Sequence, residues 1–227
     1  MEYAGKDNLE VMEGAKNYNS YLLSLLEKNI SAHDRIILDF GAGTGIYAKR
    51  VQKNNPKITV VALEPAENLD DCYAHGNISK IASLTQVKDI DLLYSFNVLE
   101  HICDDVEVLR QMHTALRKGG KLCLFVPAFP HLYSAMDKKV GHYRRYQKQE
   151  LINKVTTAGF RVTDCRYKDF MGYFATIAYK LARNSSGQLN EKALSFYDKL
   201  VMPVSIVLDK LTKGKILGKN LWLEAEK

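Results

Sequence analysis

The chain has 227 residues, of which 46% are hydrophobic and 26% charged, and its formal net charge is +6. This composition supports one folded domain and excludes disordered and fibrous proteins. The mild basic excess suits an anionic substrate or surface, but the basic residues are scattered and form no stripe interleaved with aromatic rings, so we predict no nucleic-acid partner.

The cysteines and the first residues carry little functional signal. The four cysteines are widely separated and have no neighbouring histidine at metal-ligand spacing, so we expect reduced thiols and predict no metal site. No leader pattern precedes the first helix, which predicts a cytoplasmic protein. The longest apolar runs are shorter than the roughly 18 residues that a membrane-spanning helix requires.

In chain order, apolar residues at helical spacing first predict a helix over 17–28. An apolar strand over 35–40 then meets a glycine loop at 41–45, a helix over 46–53 and a second, β-branched strand over 58–63. Strand, loop, helix and strand in this order predict a βαβ unit with parallel strands.

The same alternation continues to the end of the chain. Further strands are predicted over 78–82, 91–96, 121–126 and 160–167, and further helices over 104–117, 148–158, 172–183 and 193–211, the last with Pro203 at a kink or boundary. The tail, 220–226, alternates like an edge strand. Together these elements predict an α/β fold, a doubly wound, Rossmann-like, seven-stranded and mostly parallel sheet with helices on both faces.

The glycine loop is the first candidate binding site. Gly41, Gly43 and Gly45 follow the first strand, where doubly wound sheets bind their ligands, although a glycine turn at this place is also common without a ligand. Glu64 ends the next strand, where a carboxylate can accept both hydroxyls of a ribose. Loop and carboxylate together indicate an adenosine ligand.

Spacing and charge narrow the choice of adenosine ligand. A dinucleotide fingerprint requires a third glycine where Ile46 stands. Asp39, just before the loop, would repel a pyrophosphate and attract an ammonium group. The pattern therefore favours S-adenosylmethionine, which has an ammonium group and a sulfonium, over NAD.

Four stretches closely resemble the motifs of class I S-adenosylmethionine-dependent methyltransferases. They are Ile37-Leu38-Asp39-Phe40-Gly41-Ala42-Gly43-Thr44-Gly45, Val61-Ala62-Leu63-Glu64-Pro65, 91–101 and 116–122. The resemblance implies a cofactor site in which Asp39, Gly41, Ala42, Gly43 and Gly45 surround the methionyl part, Glu64 and Pro65 hold the ribose, Ala82, Ser83 and Leu84 border the adenine, and Asn97 and Val98 lie below the sulfonium. The family often has an aspartate after the third strand, and Ala82-Ser83-Leu84 offers none.

By the same resemblance, the first helix would cap the cofactor. Tyr18 is then expected to bond the methionyl carboxylate, while packing of Tyr18 and Tyr21 in the core explains the pattern equally well. We interpret 1–227 as a single methyltransferase domain. Its parts are a cap helix within 1–30, a cofactor-binding core at 35–126, a substrate loop at 127–147 and a helical lid or insertion at 170–218.

The substrate loop is rich in rings and charges, as functional loops often are. Its segment 141–146, GHYRRY, resembles a motif in a subset of these methyltransferases associated with glycan or cell-envelope biosynthesis. His142 is the first candidate for a general base, Asp137 would orient it or bind the acceptor, and His131 is the second candidate. Alternatively, His142 and Asp137 only tie the loop together.

Four further residues of this loop are expected to bind substrate: Tyr133, Tyr143, Arg144 and Arg145. The two arginines would clamp a carboxylate or a phosphate. The alternative is that they form a solvated or salt-bridged start to the next helix.

The segment 170–218 combines apolar residues with lysines. A basic amphipathic helix there would rest on a membrane and serve a lipid-linked acceptor, whereas a packed lid or a homodimer surface produces the same pattern. We therefore predict an S-adenosylmethionine-dependent methyltransferase acting on a small molecule or a glycan or lipid-linked intermediate, with S-adenosylhomocysteine as product. The alternatives are an NAD-type oxidoreductase and a non-catalytic S-adenosylmethionine-binding protein.

Overall fold

The computed structural model describes residues 12–64, 77–181 and 191–227, and these contain a seven-stranded sheet. Its strands are β1 (Ile36–Phe40), β2 (Thr59–Leu63), β3 (Ile78–Ile81), β4 (Ile90–Phe96), β5 (Leu116–Pro127), β6 (Arg161–Lys168) and β7 (Asn220–Glu226). The spatial order is β3-β2-β1-β4-β5-β7-β6, and β7 runs antiparallel to both of its neighbours. The predicted fold class is therefore confirmed.

Helices pack on both faces of the sheet. They are α1 (Lys16–Glu27), α2 (Ile46–Asn54), α3 (Asp105–Ala115), α4 (Ala135–Lys139), α5 (Lys148–Thr157), α6 (Phe170–Leu181), α7 (Glu191–Phe196) and α8 (Met202–Leu211), with a π-helix at Tyr197–Val201 between the last two. One hydrophobic cluster joins α3 and α5 to the sheet, and another joins α1 and α2 to its opposite face. Since both faces are covered, the central strands are mostly apolar, and all of β4 is buried.

The tail is not an edge strand, and this prediction was wrong. β7 lies between β5 and β6, and the edges of the sheet are β3 and β6. Leu221 and Leu223 enter the cluster on one face while Trp222, 2% exposed, enters the cluster on the other. The alternation in the sequence therefore separates two buried faces.

Local breaks in the helices follow from sequence. Pro203 stands in the first turn of α8, directly after the π-helix. The substrate loop contains a 3₁₀ turn, Pro130–Leu132, in addition to α4. Among the residues described, no helix combines the length and apolarity needed to cross a bilayer.

The sheet positions a crevice between β1 and β4. β1 pairs with β2 on one side and β4 on the other, so the connections that leave the carboxyl ends of β1 and β4 diverge to opposite faces. Such a switch point is where doubly wound sheets bind ligands.

Candidate functional site

A cavity of about 270 Å³ opens at this switch point. Its walls come from the glycine loop, α1, the end of β4, the substrate loop and the C-terminal helices. The residues that line it include Tyr18, Asp39, Gly41, Ala42, Gly43, Asn97, His101, Asp137, His142, Arg145, Asp169, Tyr197, Asp198 and Lys219.

The glycine loop is shaped by a close approach to the end of β4. Gly41 has φ +76°, and a Cβ atom there would lie 2.4 Å from Cγ2 of Val98. Gly43 has φ +51° with open space around it, and its amide donates to Oε2 of Glu64 at 3.0 Å. Glycine is thus required at Gly41 for space, and Glu64 lies beside the loop.

Asp39 lines the cavity with a buried carboxylate that is unpaired on one oxygen. The residue is 3% exposed, and its Oδ2 has no hydrogen-bond partner among the described residues. Burial, with a contribution from the charge of Glu64, raises the pKa of Asp39 to about 7. A cation bound beside Asp39 would compensate this desolvated charge.

Tyr18 packs in the core and also reaches the cavity. Its ring packs edge-on against Phe125 with centroids 6.2 Å apart, while its side chain also lines the cavity. Its hydroxyl accepts from Nδ2 of Asn97 at 3.5 Å. Asn97 has φ +55°, an uncommon conformation for a residue other than glycine, which turns the chain sharply at the end of β4.

The residues expected at the adenine lie outside the cavity wall. Ser83 caps a 3₁₀ turn by accepting from the amide of Thr85 at 3.3 Å, and Oε1 of Gln86 accepts from the amides of Ala82 and Ser83. Leu84 is buried in the core. Pro65, expected at the ribose, lies outside the described residues.

Asp137 organises the substrate loop. Its carboxylate accepts from the amide and the hydroxyl of Ser134, both at 2.8 Å, from Nδ1 of His142 at 2.8 Å and from Nε of Arg145 at 2.9 Å. These donors hold the pKa of Asp137 well below its usual range despite its burial. With all four contacts made, Asp137 ties the loop together and fixes the orientation of the imidazole.

The second nitrogen of His142 faces a buried carboxyl. Nε2 of His142 lies 3.7 Å from Oε1 of Glu100, which is 0% exposed, and neither oxygen of Glu100 has a hydrogen-bond partner in the described part of the chain. Burial raises the pKa of Glu100 to about 8. The ring of His101 stands edge-on to that of His142 at 4.5 Å, and burial lowers the pKa of His101 to about 4.

The other loop residues expected to act on substrate are engaged elsewhere. Nη1 of Arg144 lies 2.6 Å from Oδ2 of Asp105, and Lys154 forms a second ion pair with the same carboxylate. Tyr143 is 60% exposed and lines no part of the cavity. Arg144 therefore forms the salt-bridged helix start that was the alternative interpretation.

Two further loop residues also have partners. The hydroxyl of Tyr133 donates to the carbonyl of His142 at 2.7 Å. Nε2 of His131 lies 3.1 Å from the hydroxyl of Tyr173 on the exposed side of the loop. Arg145 alone of the four expected substrate-binding residues lines the cavity.

Sequence reasoning missed several residues from the C-terminal half. Asp169 follows β6 and Lys219 precedes β7, and the amide of Lys219 donates to the carbonyl of Asp169 at 2.9 Å. Because β7 is antiparallel, its first residue meets the carboxyl ends of the parallel strands. Recognition of that direction would have pointed to Lys219.

The C-terminal helices and α1 close the cavity together. Asp169 accepts from the hydroxyls of Tyr197 and Ser205, while Asp209 accepts from the hydroxyl of Tyr21 at 2.7 Å. Asp198 accepts from the amides at the start of α1. These contacts join α1, near the start of the chain, to the C-terminal helices, and together these helices form the cover of the cavity.

Known proteins resemble this chain in sequence. A family model described as a methyltransferase domain matches residues 14–164. Malonyl-[acyl-carrier protein] O-methyltransferase 1 of Ilyobacter polytropus is 22% identical in an alignment of 240 positions that covers 94% of this chain and 88% of that protein.

Solved structures share the fold at low identity. An S-adenosylmethionine-dependent methyltransferase from Mesorhizobium loti has a TM-score of 0.59 and 16% identity, covering 90% of this chain and 96% of that one. The 1,6-didemethyltoxoflavin-N1-methyltransferase of Burkholderia thailandensis, with bound 1,6-didemethyltoxoflavin and S-adenosylhomocysteine, has a TM-score of 0.59 and 15% identity, covering 99% and 83%.

Proposed function

Because the chain belongs to the methyltransferase-domain family, we propose that it transfers a methyl group from S-adenosylmethionine to a small molecule or to a glycan or lipid-linked intermediate. The observation that carries this proposal is the buried carboxylate of Asp39, unpaired on Oδ2 and facing the cavity beside the glycine loop. A cationic ligand would compensate the charge of such a carboxylate.

The residues present fit this cofactor. Asp39 would attract the methionyl ammonium group, and the glycine loop lets backbone approach the ligand. Glu64, which accepts from the amide of Gly43, stands where a ribose would offer hydroxyl donors instead. Tyr18 and Asn97 would close the cavity on the side of the methyl group.

When bound, the cofactor supplies a methyl group on a sulfonium sulfur, which is already a good leaving group. The protein then mainly aligns the acceptor and excludes water. The cover made by α1 and the C-terminal helices supports the second task. Asp137 supports alignment of the acceptor, since its four contacts hold His142 and Arg145 in fixed positions. We call the part of the cavity that these loop residues line its acceptor end.

Two basic residues line the cavity beside several acidic ones. Arg145 lines the cavity, and so does Lys219, whose pKa is lowered by burial. Nε of Arg145 is ion-paired with Asp137, so an acceptor that carries a carboxylate or a phosphate would share the guanidinium with that residue.

A lipid-linked acceptor is supported by the exposed side of the cover. Leu200, Val204, Val207 and Leu211 recur at helical spacing, and each is more than half exposed. Exposed lysines at 199, 210 and 213 accompany them. Apolar residues with neighbouring lysines suit the surface of an anionic membrane.

The rival functions predict different observations. An NAD-type oxidoreductase requires a pyrophosphate near Asp39, and Ile46 occupies the place of the third glycine. A non-catalytic binding protein would hold S-adenosylmethionine without ever releasing S-adenosylhomocysteine. Turnover therefore separates it from an enzyme.

Isothermal titration calorimetry tests the cofactor. S-adenosylmethionine and S-adenosylhomocysteine are expected to bind with micromolar Kd, and Glu64→Ala is expected to weaken both by about 1–3 kcal/mol through loss of a charged hydrogen-bonding partner. Exposed Glu107→Gln is the matched control and should bind like the native chain. Binding of NAD with no binding of the other two ligands would refute the proposal.

A further inference from the structure

Three potential metal ligands converge at the acceptor end of the cavity. Glu100, His101 and His142 each offer one atom, and these atoms all lie within 4.8 Å of one another. Oε1 of Glu100 and Nε2 of His142 are 3.7 Å apart, close to the separation of two ligands on a single ion. Small side-chain movements would bring all three within bonding distance of one ion.

The buried carboxyl of Glu100 favours a cation at this cluster. The side chain is completely buried, and neither of its oxygens has a hydrogen-bond partner in the described residues. The guanidinium of Arg145 is directed to Asp137, with Nε 2.9 Å from Oδ1, and to the carbonyl of Ala128. An unpaired carboxyl in the interior is costly, and a bound cation removes that cost.

The surroundings of His142 resemble those of a metal-bound imidazole. Its Nδ1 is held by Oδ1 of Asp137 at 2.8 Å, which leaves Nε2 to face Glu100 and His101. Carboxylates commonly orient ligating histidines through the second ring nitrogen in this way. The ring of His101 contacts the backbone of Val140 and Gly141, which restrains it similarly.

The backbone holds the two ligand-bearing segments together. Glu100 and His101 lie in a 3₁₀ turn, Leu99–His101, after β4, and His142 follows α4. The amide of Tyr143 donates to the carbonyl of Glu100 at 2.8 Å and fixes one segment on the other. The cluster is therefore built into the fold.

We propose that Glu100, His101 and His142 bind one divalent transition-metal ion, such as Zn²⁺ or Mn²⁺. Two imidazoles and one carboxylate suit these ions, whereas Mg²⁺ prefers a site made of oxygens. His101 and His142 line the cavity, so remaining coordination positions would face the acceptor.

Only this last point, contact with the acceptor, rests on the proposed methyltransferase function. The lone pair of His142 Nε2 then holds the ion, so the ion replaces the general-base role that the sequence suggested for this residue. No short sequence motif indicates the site, because its ligands come from segments 41 residues apart.

Metal titration of the chelator-treated full chain tests the proposal. Calorimetry with Zn²⁺ and with Mn²⁺ is expected to show one ion per chain, with Mg²⁺ binding much more weakly. Glu100→Gln, which keeps the shape of the side chain, should weaken binding by about 100-fold, and Asp137→Asn by about 10- to 100-fold. Exposed Glu107→Gln and His33→Ala are matched controls and should bind like the native chain.

Thermal stability gives a readout of metal binding that does not depend on activity. Saturating Zn²⁺ should raise the Tm of the native chain and leave that of Glu100→Gln unchanged. Affinity for S-adenosylmethionine, measured on the same samples, reports whether each variant is folded and whether the cofactor proposal holds separately. The metal proposal is overturned if the native chain binds neither ion, or if Glu100→Gln binds as tightly as the native chain.

Discussion

The carboxylate of Asp198 accepts a hydrogen bond from the backbone amide of Tyr18 at 2.9 Å, although 180 residues separate the two in the chain. Its other oxygen accepts from the amide of Asn17 at 3.1 Å. The N-cap of α1, Ala15, has no capping side chain, so Asp198 satisfies the free amides at the start of the helix from a distance. The cover of the cavity is thereby anchored to α1.

This contact predicts a loss of stability and of cofactor affinity together. Asp198→Ala should lower the free energy of unfolding by about 1–2 kcal/mol, as loss of a cap does. It should also weaken the binding of S-adenosylmethionine, because the cover is then less firmly held to α1. Asp198→Asn keeps an acceptor and should lose less. Urea unfolding and calorimetry measure the two effects, and unchanged stability in Asp198→Ala would contradict this capping role.

The pKa of Asp39 predicts how cofactor binding responds to pH. Because burial raises this pKa to about 7, the carboxyl is largely protonated at pH 6, and a cationic ligand must displace the proton. Affinity for S-adenosylmethionine should rise about tenfold between pH 6 and pH 7.5, with proton release visible in buffers of different ionisation enthalpy. Asp39→Asn should bind weakly at every pH, and a flat profile in the native chain would refute this account.

The same residue predicts a change in stability of opposite sign. The folded pKa of Asp39 lies above the unfolded value, so its stabilising contribution is present below pH 3.8 and is lost as the pH rises through about 7. Asp39→Asn should therefore raise the Tm of the ligand-free chain relative to the native chain at pH 8, and less so at pH 5. A lower Tm at pH 8 would show that the carboxylate is compensated.

The glycine loop offers a matched pair of substitutions. A methyl group at Gly41 would collide with Val98, and φ is positive as well, whereas Gly43 has positive φ but open space. Gly41→Ala should therefore cost about 1–3 kcal/mol more than Gly43→Ala, the usual cost of overpacking. Thermal unfolding of both variants measures the difference.

A second substitution distinguishes the collision from backbone strain. Val98→Ala added to Gly41→Ala removes the contacting methyl groups and should recover part of the lost stability. The part that remains reflects the positive φ. Equal stability of Gly41→Ala and Gly43→Ala would show that the contact with Val98 does not matter.

The fold follows from local patterns, and for that reason it was predictable. The first two strands are short apolar runs that end at a glycine or a polar residue, 35–40 at Gly41 and 58–63 at Glu64. Asp39, the glycine loop and Glu64 belong to these runs, so their positions followed from the order of elements. The direction of β7 did not, because alternation alone cannot tell a strand with one buried face from a strand between two layers.

The acceptor end of the cavity was harder to predict because its contacts join segments that are far apart in the sequence. Asp198 and Asp169 have the sequence pattern of solvated charges, yet they are 4% and 1% exposed and hold the cover in place. Glu100 likewise precedes a histidine in a loop and gives no periodic signal. Burial of an acidic group is decided by segments far away in the chain, which local patterns do not contain.

The exposed stripe of the cover predicts membrane binding. Leu200, Val204, Val207 and Leu211 face outward, with exposed lysines nearby. The full chain should cosediment with vesicles containing phosphatidylglycerol and less with pure phosphatidylcholine, and added salt should weaken the interaction because it screens the lysines.

A double substitution separates a membrane surface from a dimer interface. Val204→Gln with Val207→Gln removes apolar area from exposed positions, so it should reduce vesicle binding about tenfold or more while the Tm and affinity for S-adenosylmethionine stay unchanged. Light scattering on the native chain and on this variant reports the oligomeric state. A native dimer that becomes monomeric in the variant, together with no vesicle binding by the native chain, would identify the stripe as a contact between two copies instead.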